Sequence, residues 1–201
     1  MCARRATRPE GFQLVELVVV LAVLAIAALI SVPPLLRMSA RLRVDVAAHE
    51  LAGALRQARS LAISRSSYVA VKFYTSPGRV EYACFKDGDG DGVRNADIVA
   101  GVDRQITPRR MLAHRGGHLG FGFPPGRPPR DPGDPDRRLG RLTDPIRFND
   151  SDLASFSALG ASTPGSLYVT DGRRELAVVR VLGITGKVRV MRWDPDADAW
   201  K

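Results

Sequence analysis

One carboxylate lies near the start of the longest apolar run in the chain. The run extends from Phe12 to Val32, and its polar members are Gln13, Glu16 and Ser31. An acidic side chain in a membrane helix costs about 2.5–3.5 kcal/mol on insertion scales, so it marks a functional position that needs a partner. A cation that also loses its water on entering the lipid would offset that cost by pairing with Glu16.

A second group of acids could bind a metal. Residues 87–98 read DGDGDGVRNADI, with acids at alternate positions, Gly92 sixth and Asn95 ninth, like the first part of a calcium loop. The predicted ligands of this weak structural calcium site are Asp87, Asp89, Asp91 and Asn95, with Asp97 as an alternative to Asn95. The closing bidentate acid is missing, because position twelve is Ile98. A solvated turn between two strands remains the alternative interpretation.

No pattern in the sequence favours catalysis. There is no G-x-S-x-G between a strand and a helix and no H-E-x-x-H. His114 and His118 are four residues apart, but two glycines between them favour a loop, so we expect no metal there. We therefore predict a protein that is not an enzyme.

Hydrophobic periodicity predicts the elements that hold these residues. Residues 12–32 would form a transmembrane helix about 31 Å long, and residues 33–66 its amphipathic continuation, with a kink or local melting at Pro33-Pro34. One face of the continuation carries Leu51, Leu55, Ala58 and Ala62, and the wetter sides carry Arg41, Arg43, Arg56, Arg59 and Arg65. Residues 67–201 would form one β-rich domain, because the roughly 170 residues that follow the apolar run suit a single core.

Alternating patterns predict two β blocks in this domain. Residues 68–85 read as a hairpin, and residues 166–193 as a three-stranded antiparallel meander with turns at Asp171-Gly172 and Thr185-Gly186. Between them, residues 103–141 are rich in Arg, Pro and Gly and predict a long mobile insertion. The fold class is therefore α+β, with a long N-terminal helix packed on antiparallel sheet.

Charge and cysteine content set broad limits. The net charge is +9, which permits binding to anionic lipid, nucleic acid or acidic proteins without choosing among them. Of the two cysteines, Cys2 lies before the apolar run and Cys84 after it, so we expect no internal disulfide in a chain cut between them.

The N-terminal segment resembles the type IV prepilin signature: a short basic leader ending in Gly11, then Phe12, Glu16 and an apolar helix. The resemblance implies that a prepilin peptidase cuts between Gly11 and Phe12 and methylates the new N-terminus of Phe12. It also implies that Glu16 meets the terminal amine of a neighbouring subunit during assembly. A secretory signal or a plain membrane anchor would fit the basic leader, residues 1–11, but neither explains the glycine or the acid.

The C-terminal block resembles the globular domain of the GspH and FimT group of minor pseudopilins and pilins. The resemblance rests on residues 146–148, on the strand at 165–169 with the turn at 171–173, and above all on Thr185-Gly186-Lys187-Val188-Arg189-Val190. It implies a single-pass inner-membrane protein with a periplasmic domain, a subunit that joins other pseudopilins in the pseudopilus of a type II secretion system.

The same resemblance leaves a second function open, that of a FimT-like pilin that binds DNA for uptake. The residues predicted to contact DNA are Lys187, Arg189 and Arg192. Three acids follow at once, Asp194, Asp196 and Asp198, and would oppose phosphate contact. We therefore expect nucleic acid to be the less favoured partner.

Overall fold

The computed structural model describes residues 14–76, 79–112 and 118–201. Two compact units follow each other along the chain, Met1–Ser39 and Ala40–Lys201. Helix α1, Leu14–Ser64, supplies the described part of the first unit and continues into the second, and a short helix α2 occupies Asn95–Ala100. The long helix followed by antiparallel sheets confirms the α+β prediction.

The first unit is helical from Leu14 onward, and all of its described side chains are exposed. Helix α1 is continuous through residues 33–34, so of the two predicted alternatives the local melting is wrong, and the kink stays a prediction. A proline removes one backbone donor, but the remaining helical bonds on either side can hold the turn together. By length and composition, α1 is the described helix that could cross a membrane.

In the second unit, α1 buries the face that periodicity predicted. Leu51, Leu55, Ala58 and Ala62 are fully buried and belong to the largest apolar cluster. Small alanines let the helix approach the sheets closely, while the leucines fill the space between them. This packing fixes the helix against both sheets of the unit.

The first sheet confirms the predicted hairpin and adds three strands to it. Its strands are β1 Val69–Ser76, β2 Arg79–Lys86, β3 Arg104–Gln105, β4 Arg110–Met111 and β9 Leu153–Phe156. The order is β3-β2-β1-β9, all antiparallel, and β4 also pairs with β2. Cys84 on β2 is buried and unbonded to any described cysteine.

The second sheet contains the predicted meander. Its strands are β5 Gly120–Phe121, β8 Ile146–Arg147, β10 Gly165–Thr170, β11 Leu176–Leu182, β12 Lys187–Asp194 and β13 Ala199–Trp200. The order is β13-β12-β11-β10-β5, and β8 also pairs with β10. A separate two-stranded ladder joins β6 Arg130–Asp131 to β7 Asp134–Arg138.

Both faces of the second sheet are covered. On one face Val179 and Val188 join the cluster beneath α1, and on the other Val178 and Trp193 join a separate cluster that includes Leu139. The described residues 103–112 and 118–141 thus differ from the mobile insertion that their composition suggested. Their leucines at 112, 119 and 139 are buried, so this segment contributes strands and core to the domain.

Candidate functional site

Glu16 lies in the first turn of α1 as the structure describes it. An acid in the first turn of a helix is favourable, because the free backbone N–H groups there carry partial positive charge. Glu16 is exposed and forms no ion pair with another residue of the described ranges. The carboxylate is therefore available to a cation from outside the chain. Gly11 and Phe12, the predicted cleavage and methylation positions, lie outside the described residues.

The helix around Glu16 presents apolar side chains on all sides. Every described residue from Leu14 to Val32 is exposed, including Leu14 at 77% and Leu29 at 74%. A continuous apolar surface of this size is not stable in water and marks a membrane or protein contact. Lipid or neighbouring helices must cover it, and Glu16 would then be enclosed with it.

Asp87, the first predicted calcium ligand, is buried and bonded to its own loop. One carboxylate oxygen accepts the backbone N–H groups of Asp89 at 3.1 Å and Gly90 at 2.8 Å, and the other accepts that of Gly92 at 3.1 Å. Burial raises the pKa of Asp87, but these three hydrogen bonds outweigh it and hold the pKa below its usual value. The side chain thus organises the loop without a metal.

A second buried acid, Asp103, closes the same loop from its far end. Its Oδ1 accepts the backbone N–H of Gly88 at 3.1 Å, and its Oδ2 accepts that of Arg94 at 2.9 Å. Asp103 lies in the Arg-rich segment outside any local motif, so its role could not be predicted from the sequence. Residues 87–103 therefore form a closed loop held by two internal carboxylates.

Three of the predicted ligands do come together. Oxygens of Asp87, Asp89 and Asp91 lie within 4.8 Å of one another, close enough for one cation. Desolvation and the neighbouring Asp89 raise the pKa of Asp91, as expected for crowded carboxylates. Asn95 is engaged elsewhere, since its Oδ1 accepts a hydrogen bond from Lys72 at 2.7 Å. Calcium binding here stays a prediction. The three acids are placed to act as ligands, and Asn95 is not.

The three predicted DNA-contacting residues lie on two faces of β12. Lys187 and Arg189 are exposed and share one parity along β12, and Lys187 is its first residue, next to the β11–β12 turn. Arg192 has the opposite parity and lies on the face of Val188 and Val190, where it donates to Asp45 of α1 at 3.0 Å. The structure therefore brings Lys187 and Arg189 together and gives Arg192 a separate, internal partner.

Several arginines of the 103–141 segment also have partners. Arg130 and Arg138 donate to the carboxylate of Asp198 at 2.9 Å and 2.6 Å. The hydrogen bond from Arg138, then that from Arg130, lowers the pKa of Asp198 against the effect of desolvation. These arginines attach the segment to the C-terminal hairpin, which is formed by β12 and β13. They are therefore not free to contact phosphate.

Comparison with known proteins identifies the family of this chain. The sequence model of the family described as Type II transport protein GspH matches residues 47–185. Among solved structures, the chain is similar to the minor pseudopilin EpsH from the type 2 secretion system of Vibrio cholerae, with 16% identity and a TM-score of 0.42 over 74% of this chain and 94% of that one. A search of curated proteins found no match. Since this family model matches residues 47–185, which is more than half of the chain, the chain belongs to the GspH family of type II transport proteins.

Proposed function

We propose that this protein is a minor pseudopilin, a structural subunit that joins other pseudopilins in the periplasmic pseudopilus of a type II secretion system. The observation that carries the proposal is the fully exposed apolar start of α1 with Glu16 in its first turn, on a chain of the GspH family. Such a helix can be held in the inner membrane before assembly and packed among other subunits' helices afterwards. The role is structural and requires no catalytic residue.

The proposed assembly step begins with maturation at the N-terminus. Prepilin peptidase would cut after Gly11 and methylate the amine of Phe12. When the helix enters the bundle, Glu16 would bind the terminal amine of a neighbouring subunit. Both charges lose water in that environment, so each compensates the desolvation of the other, and a subunit in the wrong register leaves both unpaired.

Substitution of Glu16 tests this step. In the Glu16→Ala variant, we expect leader cleavage to continue and incorporation into filaments to fall at least tenfold, since an unpaired amine would remain buried. Gln13→Ala is the matched control, because it removes a polar side chain from the same region without removing charge. Sheared filaments and membranes are compared by immunoblot. Normal incorporation of Glu16→Ala would disprove the pairing.

The cleavage position has its own test. Replacing Gly11 with a bulky residue should leave the full-length chain in the inner membrane, whereas wild-type protein should begin at Phe12 with one added methyl group. Intact-mass spectrometry distinguishes the two forms. A mature chain that starts at Met1 or beyond Val32 would contradict both the maturation and the assembly role.

DNA binding in the manner of a FimT-like pilin is the second candidate function. One observation favours it: Lys187 and Arg189 are exposed and form no ion pair with any residue the structure describes. Phosphate contacts of this kind weaken steeply as salt rises. A gel-shift series at increasing salt, with Lys187→Gln and Arg189→Gln, tests it. Absence of binding, or binding without a salt slope, rules this function out.

A further inference from the structure

A groove lies where α1 ends in the globular unit. Arg56, Arg59 and Ile63 of the helix line one side, and the β11–β12 turn with Lys187 and Val188 lines the other, enclosing about 720 Å³. This volume is within the range of pockets that accept several side chains. The Arg59 side chain crosses to the neighbouring loop, where its Nε donates to the carbonyl of Gly160 at 2.9 Å.

Two exposed aliphatic residues directly precede residues at the groove: Ile184 precedes Thr185, which lines it, and Leu159 precedes Gly160, which accepts the hydrogen bond from Arg59. Ile184 in the β11–β12 turn is 95% exposed, Leu159 in the adjacent loop is 94% exposed, and Ile63 on the helix is 46% exposed. The two loops are tied together, since the Ser162 backbone N–H donates to the carbonyl of Gly183 at 2.8 Å. A bulky side chain replacing Gly186 would collide with the carbonyl of Gly160, so the close approach of these loops requires glycine. Together they hold an apolar rim in a fixed position.

The cations of the groove lack carboxylate partners. Arg56 donates to the carbonyl of Val188 at 3.3 Å, Arg59 to that of Gly160, and neither they nor Lys187 form an ion pair within the described ranges. No Asp or Glu occurs in residues 51–80, 153–170 or 176–193. By contrast, seven arginines elsewhere in the described chain, at 94, 109, 130, 138, 174, 180 and 192, pair with acids. The positive potential of the groove is therefore uncompensated.

We infer that this groove binds an acidic, aliphatic segment of a partner protein. Carboxylates of the segment would bind Arg56, Arg59 and Lys187, and an apolar side chain between them would contact Ile63 and the rim formed by Leu159 and Ile184. The charge complementarity supplies orientation, and burial of the rim supplies affinity. The contact involves the globular unit and does not depend on the proposed pairing of Glu16.

The chemistry of the rim favours protein over the other polyanions. Proteins that hold single-stranded nucleic acid stack bases on aromatic side chains, and none lines this groove. Membrane-surface sites lie on the outer face of an amphipathic helix, with cations on one side and Trp, Phe or Leu on the other, whereas this site is a concave groove between a helix and a turn. Exposed aliphatic side chains beside cations suit a protein segment that carries aliphatic side chains beside acids.

Photo-crosslinking of the full chain in its own cells tests the inference. A benzophenone amino acid is placed at Leu159, at Ile184, and at Val99 on α2, which is 85% exposed and belongs to neither of the two loops that carry the rim. We expect the first two positions to give one product, mapped by mass spectrometry to a protein segment with at least two acids beside an aliphatic residue. Val99 should give at least fivefold less of it.

Charge reversal provides the matched control. Lys187→Glu should lower the yield from Ile184 at least fivefold, because it replaces an attraction by a repulsion at an exposed site. Arg173→Glu makes the same change in the exposed β10–β11 turn and should leave the yield unaltered. Equal yields at all three crosslinker positions, no product, a product with nucleic acid or lipid, a protein segment without acids, or insensitivity to Lys187→Glu would each overturn the inference.

Discussion

Asp45 on α1 and Arg192 on β12 form an ion pair at 3.0 Å across 147 residues of sequence. Each side chain is 29% exposed, so the pair is partly shielded from water. It joins the helix to the β12 strand of the second sheet at the border of the main apolar cluster. Arg192, which the sequence predicted to contact DNA, is thus paired with an acid of the same chain.

Breaking this pair should destabilise the domain. We expect Asp45→Asn or Arg192→Met to lower the free energy of unfolding by about 1 kcal/mol, because each leaves its partner charged and partly buried. The double variant should lose less than the sum of the two single losses. Thermal melts of the full chain in detergent measure the effect, with exposed Lys187→Met as the control. Additive losses would show that the two side chains do not interact in solution.

The C-terminal hairpin should loosen in acid. Asp194 is held by hydrogen bonds from Lys201 and from the backbone of Ala197, which lower its pKa to about 2, and Asp198 has a lowered pKa for the reasons given above. Because both folded-state pKa values lie below the unfolded value near 3.9, the ionised acids stabilise the fold above about pH 4. That stabilisation is lost as the pH falls through the folded-state values.

Tryptophan emission reports on this hairpin directly. Trp193 and Trp200, the two tryptophans of the chain, lie there with ring centroids 5.2 Å apart. We expect a red shift between about pH 4 and pH 2. Asp198→Asn should already show part of the shift at pH 6 and a smaller change in acid. A transition centred above pH 5 would mean that other groups control the hairpin.

Calcium should act through Asp89 and Asp91, the two exposed acids of the cluster. Millimolar calcium is expected to raise the melting temperature of wild-type protein, since a ligand that binds the folded state stabilises it. Asp91→Asn should remove this increase. Asp87→Asn should lower the melting temperature with or without calcium, because Asp87 accepts three backbone N–H groups. No response of the wild type to calcium would leave the loop as a turn.

Packing of α1 on the sheets should supply much of the stability. Leu55 of α1 is fully buried in the main apolar cluster, so Leu55→Ala should lower the free energy of unfolding by about 2–5 kcal/mol. Leu42, on the same helix, is 60% exposed, and Leu42→Ala should have little effect on the melt. Equal effects of the two variants would contradict the buried face that the structure shows.

Features carried by neighbouring residues could be predicted from the sequence. The α+β class, the exposed apolar start of the helix, its Leu51–Ala62 face, the hairpin and the meander all follow from local periodicity and turn residues, and the structure confirms them. The three acids at 87, 89 and 91 also meet as predicted, because their alternation within a tight loop fixes their proximity.

Features that depend on distant partners could not be predicted. Asp103 had no motif, and the pairing of Asp198 with Arg130 and Arg138 joins residues 60 or more positions apart. The composition of the Arg-rich segment predicted an insertion, because composition does not show which of its leucines are buried. Its burial was decided by the second sheet, whose outer face requires a cover.

The sequence by itself determined that a long apolar helix with one acid precedes an antiparallel β domain, since both follow from the order of apolar and polar residues along the chain. The tertiary structure alone decided which charges are free. Burial and long-range pairing assign Arg192, Arg130 and Arg138 to internal carboxylates and leave the cations of the groove without acidic partners among the described residues. The sequence gives the number and order of the charged residues, and the fold determines which of them can bind another molecule.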